Sequence, residues 1–458
     1  MSIESAIAEL KPHFGERLST AASVLEHHGK DEAWIPPNPP DAVVWPHTTE
    51  EVSLIARTCH AHNCPIVPWG AGTSLEGHVI PVQGGITLDF GEMASVLAVH
   101  PEDMDCVVQP GITRKRLNED LRDTGLFFPI DPGADASIGG MAGTRASGTC
   151  AVRYGTMREA VLGLEVVLAD GKVIRTGSRA KKSAAGYDLT KMFVGSEGTL
   201  GIITEITLRL HGVPEATSAA ICTFPTTRDA VNTAIETIQM GIPIARIEYL
   251  DGASIDIVNK GAGYDMAKQP TLFMEFHGSE AGVAEQSETV SEIASENGGS
   301  NFQWTTKLED RNRLWAARHN FAYAFGHQFP GKRIMATDAC VPISRLADCI
   351  AETEKDAETS PLFFCIVGHV GDGNFHGSLA LDPDNPEEVA EAQRLADRLV
   401  LRTLEMGGTI TGEHGIGLGK KKFMEREHGE DAWALMGAIK QTFDPSGILN
   451  PGKLVPGN

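Results

Sequence analysis

Two histidines flank a glycine-rich turn in Gly368-His369-Val370-Gly371-Asp372-Gly373-Asn374-Phe375-His376, and a Glu-His pair between glycines follows in Thr411-Gly412-Glu413-His414-Gly415. Asp-Gly is a strong hairpin signal. With Asp372-Gly373 as a two-residue turn, pairing runs outward: Gly371 with Asn374, Val370 with Phe375, His369 with His376. The two imidazoles then face each other with Cβ atoms roughly 5 Å apart, and one divalent cation fits between them. Glu413 would add a carboxylate, and a two-His, one-carboxylate set leaves coordination positions open for a substrate. The competing reading is a polar hairpin with two surface histidines; the Glu-His pair between glycines weighs against it.

At 458 residues the chain has room for two or three domains with real cores. A net charge of −22 argues against nucleic acid and against adhesion to an anionic membrane. No apolar run is long enough to span a bilayer, so an integral membrane protein is not expected. The opening segment has no apolar signal region and is too acidic for a typical transit peptide, so the expected location is cytoplasmic. The eight cysteines are scattered without any C-x-x-C, which excludes a zinc ribbon and a ferredoxin-type cysteine run.

Four stretches position these groups. Residues 1–35 read as an N-terminal helical segment ended by prolines. Residues 36–212 alternate short β-type runs with glycine clusters; Val52, Ile55, Ala56 and Cys59 mark one helix by their spacing, and Ile202 to Leu210 alternates as a half-buried strand. Residues 213–410 change texture to longer helices flanking strands, an α+β module with an antiparallel sheet that carries the histidines. Residues 411–458 carry Glu413 and a terminal helix.

Three small-residue loops precede residue 212. The first, Pro68-Trp69-Gly70-Ala71-Gly72-Thr73-Ser74-Leu75-Glu76-Gly77, can form a concave nest of backbone N–H groups with Thr73 and Ser74 hydroxyls. It fails the dinucleotide-binding fingerprint, since Leu75 stands where the third glycine belongs, and it lacks the P-loop lysine. The second runs from Asp131-Pro132 through Ser137, Gly140 and Gly143 to Ser147-Gly148; the third is Gly195-Ser196-Glu197-Gly198-Thr199-Leu200-Gly201-Ile202-Ile203. Side chains this small make room for something long to lie on backbone, and three such loops imply one phosphate-bearing cofactor.

Loops of this form and order resemble the flavin-binding domain of the vanillyl-alcohol oxidase and p-cresol methylhydroxylase (PCMH) superfamily. Within it the chain resembles the FAD-linked D-2-hydroxyacid dehydrogenases, with the flavin-dependent, cytochrome-type D-lactate dehydrogenases as the nearest pattern. Gly186-Tyr187-Asp188-Leu189-Thr190, Gly195 to Thr204, Gly368 to His376, Thr411 to Gly417 and Leu449-Asn450-Pro451-Gly452-Lys453 carry the resemblance. It implies an α+β protein: a two-part FAD-binding domain of the PCMH type plus an α+β substrate, or cap, domain, with the C-terminal segment returning to the flavin. It implies non-covalent FAD, with no bond to His78, held by Pro68, Gly70, Ala71, Gly72, Thr73, Ser74, Gly77, Asp131, Pro132, Ser137, Gly140, Gly143, Ser147, Gly148, Tyr154, Glu197, Gly198, Gly201, Ile203 and Asn450.

The assembled groups then suit oxidation of a D-2-hydroxyacid, D-lactate to pyruvate, with hydride passing from C2 to flavin N5. A cation on His369, His376 and Glu413, zinc or manganese, would acidify the hydroxyl, and His414 is the candidate base. Arg318, where the resembling enzymes use arginine, would hold the substrate carboxylate, with Asn374 as a secondary binding residue. D-2-hydroxyglutarate dehydrogenase and a glycolate dehydrogenase subunit are the rival functions. Diacid-using relatives place a lysine where this chain has Ala336-Thr337-Asp338, which favours a short apolar tail. Without an iron–sulfur relay, electrons must leave to an external acceptor: cytochrome c, a quinone or an electron-transfer flavoprotein. Oligomeric state stays open, a homodimer included.

Overall fold

The computed structural model describes residues Ser2–Pro456, which group into two compact units. The first gathers the chain up to Ser147, Gly155–Val213 and everything from Glu413 onward; the second holds Gly148–Tyr154 and Pro214–Gly412. The structure thus groups the chain differently from a simple four-part division. The N-terminal helix Ile3–Phe14 shares a core with the first unit's strands through Ala6, Leu10 and Phe14. Gly148–Tyr154 leaves the 36–212 stretch for the second unit.

A small sheet in the first unit runs in the order Leu18–Ser19, Ala42–Val44, Ile86–Asp89, Ile66–Trp69, its last three strands parallel. The helix Thr49–His62 supplies the crossover. Thr48 caps its start by accepting from Glu51 N–H, Asn63 ends it in the left-handed region, and Val52, Ile55, Ala56 and Cys59 form its buried stripe. A second, antiparallel sheet is ordered Val96–His100, Asp105–Val108, Ile202–Arg209, Val161–Val167, Val173–Gly177. Ile202–Arg209 alternates buried and half-buried along its length, as its sequence dictates.

The second unit is built on antiparallel strands ordered Ser300–Thr305, Ala216–Thr223, Thr271–Gly278, Ile244–Leu250, Phe364–His369, Asn374–Leu381, Arg333–Ala336. Helices Thr227–Gln239, Glu280–Glu296, Leu346–Ala357 and Pro386–Glu405 cover one face, packing with Ile247, Tyr249, Ile366 and Phe375. Helices Gly252–Ala262, Leu308–His319 and Phe321–Gln328 cover the other, over Leu250, Phe273, Val367 and Ala380. Strand periodicity puts Arg246 and Glu248 on Leu250's face, and His369 and His376 on the face of Val367 and Ala380. Four polar side chains therefore share the second face.

The histidine hairpin forms in a different register from the expected one. Observed partners are Val367 with His376, Gly368 with Phe375 and His369 with Asn374, so Val370–Gly373 is a four-residue loop. Val370 is buried in the core, and Val341 N–H donates to Gly373 O at 3.0 Å, so packing from outside the hairpin outweighs the local two-residue turn. The shift is two residues, which preserves the face of each side chain. His369 and His376 become diagonal neighbours, with ring centroids 5.3 Å apart and planes at 82°.

Two carboxylates, Asp251 and Glu354, make stability depend on pH. Asp251 caps Gly252–Ala262 and accepts from Ile366 N–H at 2.9 Å; burial pushes it up to about 6. Burial, and then the Asp251 charge, push Glu354 from 4.5 up to about 7. An acid whose folded pKa is raised contributes stability that is fully present below its unfolded pKa and lost as pH rises through the folded one. Glu354→Gln should therefore raise Tm at pH 8 more than at pH 4.5, read by thermal unfolding across that range. An equal shift at both pH values would contradict the assignment.

Candidate functional site

In the first unit the parallel strand Ile66–Trp69 delivers the loop that starts at Gly70. A Cβ on Gly70 would sit 2.0 Å from Ser137 Oγ and 3.9 Å from Gly140 Cα, so the first two glycine loops face each other at backbone distance. Ser137 caps the helix Ile138–Thr144 by accepting from Gly140 N–H. At Gly143 a Cβ would meet nothing within 4 Å, while Gly143 O accepts from Glu197 N–H at 2.9 Å. The third loop is thus tied to the second, and backbone at Gly143 is left with space beside it. That combination, close-packed glycine backbones with open room alongside, fits an extended phosphate-bearing group.

Several expected cofactor residues also have structural duties. Ser74 Oγ donates to Asp31 at 3.0 Å. A Cβ on Gly201 would fall 2.4 Å from Val166 Cγ1, so that face of Gly201 leaves no room for a ligand. The Glu197 carboxylate accepts from Ile416 N–H at 2.7 Å and Gly417 N–H at 2.9 Å, clamping the C-terminal segment. Asn450 donates to His78 O at 3.0 Å and Glu197 O at 2.7 Å and accepts from Lys453 Nζ at 3.0 Å, so its amide is committed to architecture. Gly148 and Tyr154 belong to the second unit, where the Tyr154 hydroxyl meets His277 Nδ1 at 2.7 Å. Pro68, Ala71, Gly72, Thr73, Gly77, Asp131, Pro132, Ser147, Gly198 and Ile203 all lie in the first unit.

Sequence reading named several of the charged groups around this cradle but not how they are paired. His78 is buried 3.3 Å from Glu197 Oε1, without hydrogen-bond alignment at either ring nitrogen. Burial disfavours its charge, but Glu197, Glu76 and Asp31 outweigh that and hold its pKa above the usual value. Glu197 is held below its usual range: burial opposes this, and His78 with the two backbone donors prevails. Lys453 is fully buried, and desolvation brings it down to about 7.

In the second unit the strand register continues from Tyr249 opposite Gly368, which brings Glu248 beside His369. Glu248 Oε1 accepts from His369 Nδ1 at 2.6 Å. His376 Nδ1 lies 3.1 Å from Thr337 O. A carboxylate and a carbonyl only accept, so each ring donates from Nδ1, and Nε2 is the nitrogen on the opposite side of each ring. Asp338 ties the hairpin to the following loop, accepting from Asn374 Nδ2 at 2.7 Å, Thr411 Oγ1 at 2.6 Å and Gly412 N–H at 2.8 Å. Glu413 is the next residue, and His369, His376 and Glu413 can each bring one ligand atom within 4.8 Å of the others. Two imidazole nitrogens and a carboxylate oxygen at that spacing fit a zinc or manganese ion.

Arg318, on Leu308–His319, has its Nε 3.0 Å and Nη2 2.8 Å from Glu248 Oε2. That edge of the fork is occupied, so a second carboxylate would be met by the edge formed by Nη1 and Nη2. Asn374 spends both amide hydrogens on Asp338 and on Ala339 O at 3.0 Å, and its Oδ1 is a buried acceptor with no hydrogen-bond partner among the described residues. Glu248 and Asp338 were missed by motif reading, though each is the single acidic residue of its strand or turn, Ile244-Ala245-Arg246-Ile247-Glu248-Tyr249-Leu250 and Ala336-Thr337-Asp338-Ala339.

Residues 213–454 match the family of FAD linked oxidases, C-terminal domain, and residues 40–177 match an FAD binding domain. The probable mitochondrial D-lactate dehydrogenase of Danio rerio is 50% identical over 458 residues, covering 99% of this chain and 92% of that protein. The mitochondrial D-lactate dehydrogenase (cytochrome) of Arabidopsis thaliana is 47% identical over 452 residues, covering 98% of this chain and 80% of that one. The crystal structure of p-cresol methylhydroxylase with substrate bound superposes with a TM-score of 0.82 at 19% identity, over 98% of this chain and 96% of that one, and shows the fold. The chain is a flavoenzyme of the FAD-linked oxidase family, with the PCMH-type fold. Within that family its likeness to the two dehydrogenases runs through the full chain.

The expected cytoplasmic location is overturned, because both relatives are named as mitochondrial. Charge and hydropathy report how a chain folds and dissolves, and compartment leaves no mark on either. Among the described residues no helix is long and apolar enough to cross a membrane.

The open space at Gly143 gives a direct check on the cradle. Gly143→Ala should leave Tm unchanged in the FAD-free protein and lower FAD content after purification, read from the flavin absorbance per chain. Full FAD occupancy would place the cofactor elsewhere. Gly70→Ala, by contrast, should perturb folding itself, since its methyl group has no space beside Ser137.

Proposed function

We propose that the protein oxidises D-lactate, and D-2-hydroxyacids with similarly short tails, to the 2-oxoacid, with FAD held non-covalently and electrons passed to an external acceptor. The observation that carries this reading is the arrangement of His369 and His376: each has Nδ1 spent on an acceptor, so Nε2 is the nitrogen each can offer to one cation beside Glu413. Bound FAD supplies a hydride acceptor, and a zinc or manganese ion would supply Lewis acidity toward the substrate hydroxyl.

The protein's own groups do the rest. His414 takes the hydroxyl proton, and the glycines on either side of Glu413-His414 let two neighbouring side chains turn toward one substrate. Arg318 holds the carboxylate with the Nη1 and Nη2 edge, and the buried Asn374 Oδ1 accepts a hydrogen bond at the same end of the hairpin. Ala336 stands where diacid-using relatives carry lysine, just before the two residues that match their Tyr-Asp pair, and it brings only a methyl group. A second substrate carboxylate finds no partner in that side chain, which supports the monocarboxylic substrate over D-2-hydroxyglutarate. The cytochrome in the Arabidopsis relative's name supports a haem protein as acceptor.

An anaerobic screen of D- and L-2-hydroxyacids tests the reading. D-lactate should bleach the flavin band, L-lactate and D-2-hydroxyglutarate should be poor reductants, and failure of every D-2-hydroxyacid would end the proposal. His414→Ala should lower kcat about 10²–10⁴-fold with little change in KM. Arg318→Lys should instead raise KM, because an ammonium cannot reproduce the planar fork. Steady-state kinetics on both variants separates proton transfer from anchoring; equal effects on kcat and KM in the two would contradict the division of roles.

A further inference from the structure

Glu248 is 1% exposed in the middle of the second unit's sheet, where an unpaired carboxylate is costly. Its two oxygens go to different partners. Oε1 meets His369 Nδ1 at 2.6 Å from the neighbouring strand, and Oε2 meets the Arg318 guanidinium at 2.8 and 3.0 Å from the helix above. These are the residues assigned above to the cation and to the substrate carboxylate. The helix that carries Arg318 is itself held to this face of the sheet, since Trp315, one turn earlier, lies under Arg246 at 4.8 Å, and Arg246 shares Glu248's strand face.

We propose that Glu248 is a positioning residue that serves both ends of the substrate with one carboxylate. Oε1 holds His369 in the Nδ1–H form, so that Nε2 faces the cation, and Oε2 sets the plane in which Arg318 meets the substrate carboxylate. This rests on the metal reading above. The distinction from a merely structural ion pair lies in the chemistry of glutamine. A glutamine in place of Glu248 has one acceptor and one donor, so it can satisfy Arg318 or His369 but not both. With its oxygen on Arg318, its NH₂ faces His369 Nδ1, which must then be the acceptor. The ring proton moves to Nε2, and His369 ceases to be a ligand. With its oxygen on His369, its NH₂ meets the guanidinium and the anchor is displaced.

The test uses FAD-loaded protein stripped of metal by a chelator and titrated with Mn²⁺, free ion being read by EPR. Glu248→Gln should weaken Mn²⁺ binding about 10–100-fold and raise the KM for D-lactate, while FAD content is retained because the glycine loops lie in the other unit. A Glu248→Gln variant that binds Mn²⁺ as tightly as wild type overturns the proposal. Wild type that binds no Mn²⁺ instead removes the metal reading itself, so the two failures are distinguishable. A second measurement needs no variant beyond an assignment: ¹⁵N-histidine spectra of the metal-free wild type should show His369 protonated at Nδ1, with His369→Gln identifying the signal. A ring protonated at Nε2 alone overturns the proposal even where Glu248→Gln fails to fold.

Discussion

The candidate metal centre depends on one buried carboxylate, Asp338, which is 1% exposed and accepts from the hairpin residue Asn374, the hydroxyl of Thr411 and the amide of Gly412. The histidines sit on a rigid pair of strands, but Glu413 follows a loop far along the chain. By gripping Gly412 and Asn374 together, Asp338 fixes the backbone from which Glu413 departs against the strand that carries His376. The amide orientation of Asn374 follows from the same contact, since its NH₂ must face the carboxylate, and this turns its Oδ1 away as the acceptor. Gly412 admits no substitute, since a Cβ there would fall 2.2 Å from Asn374 Nδ2.

A comparable device closes the first unit. Glu197 accepts backbone donors from Ile416 and Gly417, and Asn450 links His78 and Glu197 through their carbonyls. Leu449 bridges to Ile66, whose strand delivers the Gly70 loop. The C-terminal segment is thereby stitched to the same elements that carry the glycine loops. The cradle is made from distant parts of the chain, and the fold spends several polar side chains on holding them at backbone distance.

Much of this was legible in the residues. The stripe of Val52, Ile55, Ala56 and Cys59, the alternation of Ile202 to Leu210 and the small-residue loops are local patterns, and local patterns survive folding. The hairpin was legible as a hairpin, but its register was not, because Val370 in the core and Val341 against Gly373 decide the loop length from outside it. Glu248 was invisible for the same kind of reason: it lies 121 residues from His369, and only the strand order places them side by side. Asn450 was legible only through the family resemblance, and its side-chain partners, two backbone carbonyls and the Lys453 ammonium, are contacts that no motif displays.

The central claim is that His369 and His376 bind one divalent cation through Nε2, with Glu413 as the carboxylate ligand. Pulsed EPR on Mn²⁺-loaded protein, prepared with ¹⁵N-histidine and FAD bound, tests it most directly. The account predicts one Mn²⁺ per chain coupled to two imidazole nitrogens, one coupling being lost in His376→Ala. One or more bound Mn²⁺ ions without any histidine nitrogen coupling, or couplings unchanged in His376→Ala, would contradict it.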